Sequence, residues 1–161
     1  MSYSSLYKVF KKSSSCIEEY KNGYGTGPMI WDYLRDRINL GSRWSSGYND
    51  TALWALARDP KVPLHLRLCH VFTFDHAYCP FDKLGAMADA LEMAHEDICK
   101  ESSTWTHFKE IAGDMRKVKN QRYLRGVGLN CTSVANVWCD WNPSKGTPFD
   151  CYEYVTVLDA T

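Results

Sequence analysis

A chain of 161 residues with 45% hydrophobic content is long enough for one well-buried core, and residues 1–161 read as a single domain. Its 19 Lys+Arg balance 19 Asp+Glu, which excludes a protein that coats nucleic acid or membrane by charge alone but allows a local basic patch. No apolar run reaches the roughly 18 residues that span a bilayer, and no signal-type apolar segment opens the chain, so the expected location is the cytoplasm. Its seven cysteines form no paired framework and are expected to be free thiols there.

Residues 3–10 are rich in Tyr, Val and Phe and favour a strand. Residues 11–15 are polar and read as a loop. Gly23, Gly25 and Gly27 then alternate ahead of a helix, superficially a phosphate cradle. The spacing fits neither the dinucleotide nor the P-loop pattern, and no Lys-Ser/Thr follows, so a plain entry loop is expected. Pro28 opens a helix over residues 28–40, with Ile30, Leu34 and Ile38 as its buried stripe. Gly41 stops it. A Ser/Gly loop carrying Arg43, Trp44 and Tyr48 leads to a short helix over residues 51–58.

Residues 62–99 read as the centre of the fold, a helical hairpin. Leu64, Leu68 and Phe72 fall four apart on the first helix, with Val71 beside them. Pro80 marks the turn. Leu84, Met87, Ala88, Leu91, Ala94, His95 and Ile98 share one face of the second helix. A further helix presents Trp105, Phe108, Ile111, Ala112, Met115 and Val118 to the core. Arg116, Lys117, Lys119, Arg122 and Arg125 make its end basic, which suits the helix dipole in part. Residues 132–138 suggest a short helix, and residues 151–158 a strand to pair with residues 3–10. The expected architecture is mainly α: a single compact helical domain around the central hairpin, with room for a two-stranded sheet from the termini.

Three sites stand out. Cys69, His70, His76 and Cys79 are zinc-competent types, but the short knuckle spacing is missing, so core thiols and hydrogen-bonded histidines are expected, with no metal and no cofactor. A nucleophilic arrangement of Cys79 with His76 and Asp75 can be drawn, though sequence neighbours rarely provide the geometry. His95 and Cys99, four apart on a helix, read as a core edge. Residues 121–141 fit a helix-turn-helix with Gly128 at the turn. Arg122 and Arg125 would meet phosphates, and Thr132, Ser133 and Asn136 would face bases. Gly126 and Asp140 weigh against it. Arg43, Trp44 and Tyr48 are the residue types that dominate protein interfaces; the alternative is a Trp folded back onto the domain.

The segments SYSSLYKV, WALARDPKVPLHLRL, HVFTFDHAYCPFDKLG and GLNCTSV resemble an uncharacterised group of small proteins encoded by tailed bacteriophages and prophages. The resemblance implies a phage-encoded accessory protein of the host cytoplasm and offers no catalytic motif. The function expected on these grounds is non-enzymatic binding that occludes a host or defence protein. The alternatives are a helix-turn-helix DNA binder and a cysteine- or metal-dependent enzyme.

Overall fold

The computed structural model describes residues 3–37, 55–73, 77–102, 105–131 and 155–156. Strand β1 (Tyr3–Phe10) runs antiparallel to β2 (Ser14–Lys21) on one side and to β4 (Leu124–Asn130) on the other. Strand β3 (Ala77–Pro80) lies antiparallel to β4, and the two residues of β5 (Val155–Thr156) pair parallel with β3. The sheet order is therefore β2-β1-β4-β3-β5.

This five-stranded sheet overturns the mainly α expectation; the fold is mixed α/β. The physical reasons differ by strand. In β4, Val127 and Leu129 enter the core while Gly126 and Gly128 interrupt the β-formers. Two glycines in seven residues hide the strand, since glycine weakens one unless another backbone comes close. One does here: a Cβ on Gly126 would sit 1.9 Å from the Cys79 carbonyl oxygen. Strand β2 is an edge with only Tyr20 buried, so it shows no apolar alternation. Strand β3 is four residues ending in proline, inside what reads as a helical turn. The expected pairing of the termini is also corrected, because β5 joins β3 and β1 is already flanked by β2 and β4.

The helices match expectation more closely. They are α1 (Gly27–Arg37), α2 (Leu64–Phe72), α3 (Leu84–Ser102) and α4 (Phe108–Arg116), with residues 55–58 helical before α2. Ile30, Trp31 and Leu34 of α1 are buried, and Trp31 Nε1 donates to Thr73 Oγ1 at 2.8 Å, tying α1 to the end of α2. On α3, Leu84, Met87, Ala88, Leu91, Ala94 and Ile98 are buried as the spacing predicts. The face of α2 is rotated from expectation: Leu66, Cys69, His70, Val71 and Phe72 are buried, Leu68 only partly so, and Leu64 is exposed. The α3 helix packs against both α2 and α4. At the surface His65 meets Asp97, and Arg116 reaches Asp89 and Glu92. Each fully buried Leu, Ile or Phe contributes about 1.5–3 kcal/mol, which sets the ordering cost of these elements against a common core with the sheet. Among the described residues no helix is long and apolar enough to cross a membrane.

Candidate functional site

The antiparallel pairing of β1 with β4 brings the end of one strand beside the start of the other. Val9 faces Gly126 and Phe10 faces Leu124, so Arg125 is an extra residue and the register slips there. Beyond Phe10 the hairpin turn is Lys11-Lys12-Ser13, closed by a bond from Phe10 N–H to the Ser13 carbonyl at 2.8 Å. Ahead of Leu124 a second turn is closed by Leu124 N–H donating to the Gln121 carbonyl at 3.0 Å. The two turns enclose an open cleft of about 540 Å³ lined by Phe10, Lys11, Lys12, Ser13, Arg122 and Tyr123.

Tyr123 is the unusual residue. Its φ is +66°, a left-handed conformation that bulky L-residues rarely adopt, and its side chain is 62% exposed. That conformation costs roughly 1–2 kcal/mol, and with most of the ring in solvent little packing offsets it. The Arg122 guanidinium carbon lies 4.7 Å from the Tyr123 ring centroid. Such a cation–π contact holds the ring and the charge together.

The basic run around residue 120 divides in two. Arg116 is bound to Asp89 and Glu92 at 2.6 and 2.7 Å, and Lys117 to Asp114 at 2.8 Å; these cations are structural. Bonds to Arg116 hold the Glu92 carboxyl below its ordinary range. Among the described residues, Lys11, Lys12 and Arg122 have no carboxylate within ion-pair distance and no acid lines the cleft. A chain of zero formal net charge thus brings to one cleft three cations without a carboxylate partner among the described residues, together with an exposed aromatic ring.

A second open cavity of about 490 Å³ lies where α4 meets β2, and its charges are of both signs, with Glu110 paired to His107 and Asp114 to Lys117. His107 there resembles an acid–base dyad, since Nδ1 is 2.8 Å from Glu110 Oε2. Its Nε2 is committed to the Lys21 carbonyl at 2.6 Å, so the ring is a pin between α4 and β2 with no nitrogen left for a substrate. Beside it, Tyr20 donates to Asp114 at 3.0 Å. Burial first, then Asp114, pushes the Tyr20 phenol above its ordinary range. A raised folded pKa gives stability that is present in full below the unfolded value, roughly 10, and is lost as pH rises past it. The melting temperature should fall above about pH 10, and should fall less steeply in Tyr20→Phe, which at neutral pH is weaker by about 1 kcal/mol for its lost hydrogen bond. Thermal melts across this range check it; equal alkaline slopes in the two proteins would contradict it.

No family model, curated protein or solved structure matches this chain. The site therefore stands on its own residues.

Of the residues expected to meet nucleic acid, Arg122 lines the cleft and Arg125 sits 5.3 Å from the Tyr78 ring centroid. The helix-turn-helix itself needs correction: Gly128 lies inside β4, between Tyr7 of β1 and Tyr78 of β3, where a strand replaces the first helix and its turn. Thr132, Ser133 and Asn136 lie outside the described residues, as do Arg43, Trp44 and Tyr48 of the aromatic loop. Of the Cys/His set, Cys69 and His70 are buried on α2, Cys79 is buried on β3, and His76 lies outside the described residues. Burial pushes the Cys69 thiol well above its ordinary range, and burial with the nearby Asp82 charge pushes Cys79 up to about 12. Both are held as neutral thiols, the opposite of an activated nucleophile. The glycines at 23, 25 and 27 are packing positions rather than a cradle. All three are buried; a Cβ on Gly25 would press on the His107 ring at 3.1 Å, and one on Gly27 on Trp31 at 3.1 Å.

Lys11, Lys12 and Tyr123 were not expected at a site. The available signal was the Lys-Lys pair at a polar turn and the Arg-Tyr pair before a glycine-broken apolar run. Neither pair means much until the β1–β4 pairing puts them together.

Proposed function

We propose that this chain is a non-enzymatic binding protein for single-stranded nucleic acid. The observation that carries the reading is the cleft: Lys11, Lys12 and Arg122, without carboxylate partners among the described residues, line it together with the exposed ring of Tyr123. Cations that track a phosphate backbone and an aromatic ring on which a base stacks are the two parts of single-strand recognition. The left-handed backbone at Tyr123 supports the same reading, since strain held without a packing return is a mark of functional positions. A recess between two turns favours splayed bases over a duplex, which is read by an element that projects into a groove. The reading keeps the non-enzymatic binding role drawn from the sequence and places a nucleic-acid strand where a host protein was expected. It needs no cofactor.

The test is a fluorescence anisotropy titration of the full chain with a short labelled oligo-dT strand and with a duplex of the same length. The strand should bind more tightly. Three phosphate contacts should give a slope of about −2 in log affinity against log salt, since each contributes roughly −0.7 on single strands. Equal or tighter binding of the duplex, or binding to neither, would overturn the reading.

A further inference from the structure

Among the described residues β2 is an edge of the sheet, paired with β1 on one side only. Its last residues carry side chains where a neighbouring strand would be. The Lys21 carbonyl accepts from His107 Nε2 at 2.6 Å, and the Glu19 N–H donates to Glu18 Oε1 at 3.1 Å. Backbone groups two residues apart in a strand point to the same side, so Glu19 and Lys21 both turn theirs away from β1. Between this edge and α4 lies the open cavity of about 490 Å³. Gly113 is part of its α4 wall, and among the described residues nothing lies within 4 Å of a Cβ built there. Glycine weakens a helix interior, and no packing neighbour requires one here. The wall is bare where a second backbone would pass.

The charges of the groove separate along it. Glu110 is paired with His107 and Asp114 with Lys117, whereas Glu18, Glu19, Lys21 and Lys109 have no ion-pair partner among the described residues. The start of α4 lies beside Lys21, so Lys109 joins Lys21 at one end, and Glu18 and Glu19 stand at the other. Trp105, half exposed with its ring 4.1 Å from the His107 ring, adds an apolar surface at the lysine end. The groove has room for one added strand, because α4 bounds its far side; a second copy of β2 would bring its own β1 with it.

We infer that the groove between β2 and α4 takes an extended peptide segment as an added strand, antiparallel to β2, with an acidic residue opposite Lys21 and a basic residue opposite Glu19. Main-chain bonds to a sheet edge supply affinity in this mode, and side chains supply selectivity. The peptide carbonyl replaces the Glu18 carboxylate on the Glu19 N–H, and the peptide backbone passes the bare face of Gly113. Opposite charges facing each other across a strand pair are favourable and like charges are not, which fixes the order of the two charged residues.

The experiment is an NMR titration of the full chain with the peptide Thr-Val-Glu-Val-Lys-Val-Thr, blocked at both ends, and with its charge-swapped form Thr-Val-Lys-Val-Glu-Val-Thr. The first should shift the Glu19 and Gly113 amides, and the second should bind at least about tenfold more weakly, because it sets like charges together. Methylating the backbone nitrogen of the peptide lysine removes the donor to the Glu19 carbonyl and should weaken binding by a similar factor. Gly113→Phe fills the groove and should abolish the shifts at Glu19 while the melting temperature holds. The double variant Glu19→Lys with Lys21→Glu should prefer the swapped peptide. Charges that merely guard a sheet edge predict no shift at Glu19 with peptide at about 1 mM, the weak end of specific binding, and that result would overturn the assignment. Equal binding of the two peptides or full binding to Gly113→Phe would overturn it as well. So would a dimer that Gly113→Phe separates, which gives the groove to a second copy.

Discussion

Gly126→Ala should lower stability by about 3 kcal/mol, the upper part of the range for overpacked sites. The added methyl carbon would lie 1.9 Å from the Cys79 carbonyl oxygen, 2.8 Å from the Cys79 carbonyl carbon and 3.0 Å from Pro80 Cα. All three are backbone atoms of β3, so no side chain can swing away. Strand β3 must leave β4 or the sheet must bend. For a chain of this size the melting temperature should fall by roughly 6–12 °C, at about 2–4 °C for each kcal/mol. Gly113→Ala is the matched control. Gly113 lies within α4 with nothing within 4 Å of the new carbon, so the same change should stabilise by roughly 0.5–1 kcal/mol through helix propensity. Opposite signs from one chemical change would establish the β3–β4 pairing. If Gly126→Ala were neutral, β3 would not close on β4 at residue 126, and the pairing would be contradicted.

That contrast also explains what the sequence makes legible. The α3 helix is readable because its buried residues recur at helical spacing over nineteen residues, long enough for the period to declare itself. The α2 helix is nine residues with apolar side chains on several sides, so its existence is readable and its buried face is not. The sheet is hidden for a different reason. Its central strand β4 meets β3 where Gly126 lacks a side chain, and a missing side chain leaves no pattern to count. The candidate site inherits this difficulty. Arg122 is legible as part of a basic run, but only geometry separates it from Arg116 and Lys117, which are bound to Asp89, Glu92 and Asp114. Lys11 and Lys12 lie more than a hundred residues away in sequence, and the strand pairing alone puts them in the same cleft.

Charge and stacking in the cleft should separate cleanly. Joint replacement of Lys11, Lys12 and Arg122 by Ala removes three phosphate contacts, so affinity should fall by roughly 100-fold at low salt and the salt dependence should flatten by about 2 units of slope. Tyr123→Asn removes the stacking platform and leaves the cations. It should weaken binding by at least about tenfold, within the 1–3 kcal/mol per stacked base, with the salt slope unchanged. The same substitution should stabilise the free protein by about 1 kcal/mol, because Asn tolerates the left-handed backbone that Tyr123 is forced to adopt. A gain in stability paired with a loss of binding is the signature of a residue kept for its ligand.

The most direct measurement is therefore the salt-dependent titration of oligo-dT against the unaltered chain, the triple cation variant and Tyr123→Asn, side by side. The account predicts that the triple variant binds weakly with a nearly flat salt dependence, and that Tyr123→Asn binds weakly with the slope intact and a higher melting temperature. Full affinity and an unchanged slope in the triple variant would contradict it.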